Sequence, residues 1–135
     1  MADAYPRPQL VRPNWTSLNG KWQFTFDNEQ RYDLPMRPVQ WTSEILVPYP
    51  PESQTSGIGD RGFHLACWYQ REFDCKPGDD RVLLHFGAVD YKATVWVNGH
   101  RVAIHEGGHS PFSADITSAL DPSGKQTVTV HAEDD

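Results

Sequence analysis

The run Lys92-Ala-Thr-Val-Trp-Val-Asn-Gly-His-Arg-Val-Ala-Ile-His105 constrains the fold more than any other stretch of this chain. Two alternating runs flank Asn98-Gly99, and Asn-Gly supplies the two positive-φ positions of a type I′ turn. The segment therefore predicts a β-hairpin. Period-two alternation recurs along the chain. In 21–27, Trp22, Phe24 and Phe26 alternate with Lys21, Gln23, Thr25 and Asp27, which predicts a half-buried strand with one aromatic face. Residues 81–87 place Val82, Leu84 and Phe86 on one face, and 126–132 do the same with Val128, Val130 and Ala132. Residues 68–74 read as a further strand, and 44–48 as a shorter one ended by Pro48. Pro77-Gly78 marks the turn between strands 68–74 and 81–87. No amphipathic helical stripe lasts ten residues, and 115–120 supplies one helical turn, capped by Asp115 or Thr117. Short antiparallel strands separated by turn residues predict an all-β sandwich.

At 135 residues the chain fits one domain, with an irregular N-terminal arm over 1–13 and the sandwich over 14–135. The long irregular stretch 28–62 holds Pro35, Pro38, Pro48, Pro50 and Pro51, and loops of that length usually act or contact another domain. Eighteen acids against twelve bases give a net charge of −6, with no basic cluster to neutralise phosphates or anionic lipid. Neither nucleic acid nor membrane is expected as a partner. The N-terminus has no apolar signal core, so a cytoplasmic location is expected and Asn14-Trp15-Thr16 is a chance sequon. Cys67 and Cys75 flank the 68–74 strand, whose extended length of about 26 Å forbids a disulfide between them. Two free thiols are expected.

The chemistry-bearing patterns are weak. His105-Glu-Gly-Gly-His109 spells the HExxH of zinc proteases, but two glycines and Pro111 oppose the helix that motif requires. No metal and no cofactor are expected. Glu72 with Asp74, Asp79-Asp80 and Asp134-Asp135 lie at strand ends, turns or the terminus, where burial cannot split two carboxylate pKa values. Gly57, Gly59 and Gly62 frame no serine nucleophile and follow no strand, so they form neither a nucleophile elbow nor a phosphate cradle. Trp15, Trp41 and Tyr49 lie in irregular segments and are the aromatic candidates for stacking on a sugar.

Several blocks resemble the N-terminal domain of glycoside hydrolase family 2, which includes β-galactosidases, β-glucuronidases and β-mannosidases. They are Leu18-Asn-Gly20-Lys-Trp22-Gln-Phe24, Trp68-Tyr69-Gln-Arg71-Glu-Phe73, Val82-Leu-Leu-His-Phe-Gly87-Ala-Val-Asp-Tyr91, Val95-Trp-Val-Asn98-Gly99 and His105-Glu-Gly-Gly-His-Ser-Pro-Phe112-Ser-Ala-Asp115-Ile116-Thr117. The resemblance covers roughly residues 14–135 in the family's order. It implies a jelly-roll, galactose-binding-like β-sandwich that does not itself carry out hydrolysis. The family's acid/base and nucleophile carboxylates lie in a downstream barrel, and the family continues past Asp135 with a strand that closes the sandwich. The expected partners are therefore the downstream domains, carbohydrate at the rim of the barrel's site, and another copy through an uncovered sheet edge. The loop 105–109 matches a family loop near that site, which makes His105, Glu106 and His109 the candidate substrate contacts. A self-standing carbohydrate-binding module and a purely structural interaction domain are the alternatives.

Overall fold

The structure, a computed structural model, describes residues 8–11, 15–27, 39–47, 66–87, 92–107 and 110–133. Its strands are β1 (Gln9–Val11), β2 (Trp15–Ser17), β3 (Gly20–Phe26), β4 (Ser43–Val47) and β5 (Ala66–Asp74). They continue with β6 (Leu83–Phe86), β7 (Lys92–Val97), β8 (His100–Glu106), β9 (Phe112–Asp115) and β10 (Lys125–Glu133). One 3-10 turn, Thr117–Ala119, precedes β10. All pairings are antiparallel, in a four-stranded sheet ordered β2-β1-β6-β9 and a six-stranded sheet ordered β4-β3-β5-β10-β7-β8.

The two sheets face each other across one core. Leu84, Phe86 and Ala114 from the smaller sheet meet Phe24, Tyr69, Val95, Val128 and Val130 from the larger. Alternation along each strand directs these side chains inward, since successive residues of a strand point to opposite faces. The 98–99 turn forms as the sequence predicts, with Asn98 at φ 52° and Gly99 at φ 82°. Pro77-Gly78 lies in a connection that crosses between sheets, because β5 belongs to the larger and β6 to the smaller. Cys67 and Cys75 are free thiols at the two ends of that strand pattern.

One expectation needs correction, and two features of the larger sheet go beyond what alternation predicts. The arm 1–13 is not irregular throughout, because Gln9–Val11 forms β1 between β2 and β6. Pro6, Pro8 and Pro13 flank this strand without interrupting it, so none removes a donor from its ladder. The face of the larger sheet turned away from the core is not simply solvated. Thr25, Asp27, Trp68, Thr94, Trp96 and Thr129 on that face are all buried. Trp68 stacks on His131 at 4.3 Å and on Trp96 at 5.3 Å, and its indole N–H donates to the Asp27 carboxylate at 3.1 Å. β10 lies inside the larger sheet, paired along nine residues with β5 and along six with β7. Among the described residues the edges of that sheet are β4 and β8.

The helical turn expected near 115–120 is the 3-10 turn, and Asp115 caps it from one residue before its N-cap. The Asp115 carboxylate accepts from the Thr117 amide at 3.0 Å and hydroxyl at 2.6 Å, and it pairs with Arg81 at 2.8 Å. The hydroxyl and amide of Thr117, then Arg81, hold this carboxyl down from 3.8 to about 2. A folded-state pKa below the unfolded one stabilises the fold above about pH 4, and that contribution is lost as pH falls toward the folded pKa. Carbon-detected NMR should therefore show Asp115 titrating at about 2 in the folded chain. Asp115→Asn should flatten the acid limb of the stability curve. A titration midpoint near that of a free aspartate would show that these contacts do not persist in solution.

Candidate functional site

β8 and β9 bring the candidate substrate contacts to one end of the sandwich. β8 ends at Glu106, Gly107 turns the chain at φ 101°, and β9 begins at Phe112. A side chain at Gly107 would be strained, since that φ belongs to the left-handed region.

His105 and Glu106 are neighbours on a strand, so they point to opposite faces. His105 lies across the ladder from Ala93, a fully buried core residue, and therefore faces inward. Its imidazole stacks on Phe112 at 4.6 Å and 9°, and Phe112 stacks on the buried Phe86 at 5.0 Å and 16°. Three rings thus form a column from the smaller sheet to the edge strand of the larger. The Ser110 hydroxyl meets His105 Nε2 at 3.3 Å, while Nδ1 is buried without a hydrogen-bond partner. His105 plugs the end of the core and fixes the start of β9 against the end of β8. Glu106 lies across from Lys92 on the outer face and is exposed.

The structure therefore separates His105 from Glu106. His109 lies outside the described residues. The HExxH arrangement is not built, because its first histidine and glutamate sit in a strand and diverge where a helical site needs them convergent. Among the described residues no group of three metal-ligating side chains comes together. The proposed sugar-stacking aromatics fare differently from one another. Trp41 is half-buried, Trp15 sits in β2 opposite Val11, and Tyr49 lies outside the described residues. Phe112 is the functional neighbour that alternation could have revealed, since Phe112 and Ala114 share a face and flank exposed Ser113. The segment is only four residues long, too short for the pattern to stand out.

A second cluster organises the opposite end. The Gln126 amide is fully buried and makes four hydrogen bonds. Its Nε2 donates to the carbonyls of Cys75 at 2.8 Å and Asp121 at 3.0 Å. Its Oε1 accepts from Asn98 Nδ2 at 2.6 Å and from the Asp121 amide at 2.7 Å. Asn98 adds a bond to the Ala119 carbonyl and accepts from the Thr127 amide, each at 2.9 Å. This knot holds the hairpin turn, the 3-10 turn and the end of β5 together. Every amide group of Gln126 is satisfied internally, which marks it as a framework element.

Comparison with known proteins places this framework. Residues 63–135 match the family model described as glycosyl hydrolase 2 galactose-binding domain-like. The β-glucuronidase of Canis lupus familiaris is 37% identical over 135 aligned positions, covering 86% of this chain. That of Paenibacillus borealis is 34% identical and covers 93%. The structure of Faecalibacterium prausnitzii β-glucuronidase superposes with a TM-score of 0.71 at 31% identity, covering 94% of this chain and 21% of that one. The chain spans about a fifth of the length of these relatives, 20% of the canine protein and 22% of the bacterial one. With its two-sheet antiparallel sandwich, its hairpin and its β8–β9 clasp in the matched region, the chain belongs to the glycosyl hydrolase 2 galactose-binding-domain-like family.

Proposed function

We propose that this chain serves as the non-catalytic, galactose-binding-like domain of a β-glucuronidase-type glycosidase. Its role is to support a catalytic domain outside these 135 residues and to rim that domain's site with the segment after β8. The carrying observation is the match of named β-glucuronidases across 86–93% of the chain. The structure supports the division of labour, because the β8 end is built as a mechanical clasp in which His105 anchors the segment. A sugar contact by Glu106 or His109 is part of the proposal, with His105 in the positioning role. The other domains of the parent are the proposed partners, and carbohydrate is met jointly with them. The free thiols of Cys67 and Cys75 fit a reducing compartment, which is proposed with them.

A self-standing sugar module calls for an exposed aromatic platform. Among the described residues Trp22, Trp68 and Trp96 are buried, and Trp41 is half-buried. That distribution favours the supporting role. The test is an NMR titration of the purified chain with glucuronic acid, galactose and mannose, alongside a p-nitrophenyl glycoside assay of the full-length parent. The chain alone should neither hydrolyse nor bind saturably, while the parent cleaves the β-glucuronide in preference to the β-galactoside. Saturable millimolar binding by the isolated chain would overturn the supporting role. A parent that prefers the galactoside would overturn the substrate class.

A further inference from the structure

β8 ends the larger sheet, and among the described residues no strand lies beyond it. Its ladder with β7 contains an irregularity. Val95 faces Ala103 but Trp96 faces Arg101, so Val102 is an extra residue in β8. Such a bulge resets the alternation of the strand that carries it. Arg101, Ile104 and Glu106 consequently face Trp96, Thr94 and Lys92, which are alternate residues of β7. The three side chains form one evenly spaced row on the outer face, although their numbers differ by three and then by two. All three are exposed, and Ile104, at 50%, is the exposed large hydrophobic side chain of the described residues. Neither Arg101 nor Glu106 has an ion-pair partner among those residues.

We propose that this edge pairs with the β8 edge of a second copy of the chain, antiparallel, about a two-fold axis at Ile104. That operation sets Ile104 against its own copy. It also sets Arg101 against the partner's Glu106, once on each side of the axis. The arrangement is isologous, so one row supplies both halves of the contact. Charge and bulges on an edge strand ordinarily oppose pairing, because most registers bring charge against charge or against apolar surface. Here they select one register, since opposite charges sit at symmetric positions about the apolar residue. A single added ladder covers less than a standard interface, so the association is weak and concentration-dependent. The inference rests on the register, exposure and charges of β8; it shares Glu106 with the glycosidase reading but does not depend on it, and sedimentation of the chain without sugar tests it separately.

Sedimentation of the purified chain from ~10 µM to ~1 mM, the range in which so small an interface is populated, should show a monomer–dimer equilibrium. Arg101→Glu and Glu106→Arg should each weaken the dimer at least about tenfold, because like charges then meet twice across the axis. The double exchange Arg101→Glu with Glu106→Arg should restore it to within about threefold, since the opposite-charge contacts return. Circular dichroism checks that each surface variant keeps the sandwich. A chain monomeric throughout would overturn the proposal, as would single exchanges without effect or a double exchange that fails to restore the dimer.

Discussion

Gln126→Leu should lower the stability of this chain by about 3 kcal/mol, one of the two largest effects expected of a single substitution here. Leucine keeps the volume and the burial, so the loss isolates the hydrogen bonds. It leaves the Cys75 carbonyl, the Asp121 amide and one Asn98 N–H without the partner they now share, while the Asp121 carbonyl keeps the Gly124 amide at 3.1 Å. Each buried polar group stranded in this way costs about 1–3 kcal/mol, and those nearer the surface recover part of it from water. Asn98→Ala should cost less, because the Asn98 side chain is only part-buried where it meets Ala119 and Thr127. Urea unfolding followed by tryptophan fluorescence measures both. A loss below about 1 kcal/mol for Gln126→Leu would mean that water replaces the amide and that the knot is dispensable.

Phe86→Ala should cost about 3–5 kcal/mol, the usual range for emptying a buried phenylalanine site. Phe86 is 1% exposed and begins the ring column that continues through Phe112 to His105. The loss should be local as well as global. β9 pairs with β6 alone among the described strands, so removing the ring beneath it loosens 112–115 and frees the end of β8. Hydrogen exchange should show protection falling in β9 before it falls in β5 and β10, which hold each other along nine residues. Phe112→Ala, at a half-buried site, should cost less and yet loosen the same segment. Uniform loss of protection in Phe86→Ala would show that the column does not act as a separate clasp.

The strands carrying the strongest alternation were legible before any coordinates. Trp22, Phe24, Val82, Leu84, Phe86, Val128 and Val130 all turn inward as period two requires, and Asn98-Gly99 makes its turn. These features are local, because the pleat and the φ demands of a tight turn act over a few residues. The same blocks carried the family resemblance, so the class of domain was legible with them. The candidate site was legible only as a segment. That His105 and Glu106 diverge follows from the strand, but His105 turning inward depends on the bulge at Val102, which is defined against β7.

The amino-acid sequence by itself determined the all-β class, the hairpin at 98–99, most of the inward-facing residues and the separation of the two cysteines. Tertiary structure alone decided which strands neighbour which, that β1 forms within the proline-rich arm, and that β10 lies inside the larger sheet. It alone decided the stack of Trp68 with Trp96 and His131, the column from Phe86 to His105 and the knot at Gln126. The division has one physical cause. Side-chain alternation and turn geometry are properties of neighbouring residues, whereas these contacts depend on pairs far apart in the chain: 26 residues for Phe86 with Phe112, 51 for Cys75 with Gln126 and 63 for Trp68 with His131. Which distant partners meet is settled by the burial and hydrogen bonding of the whole sandwich at once.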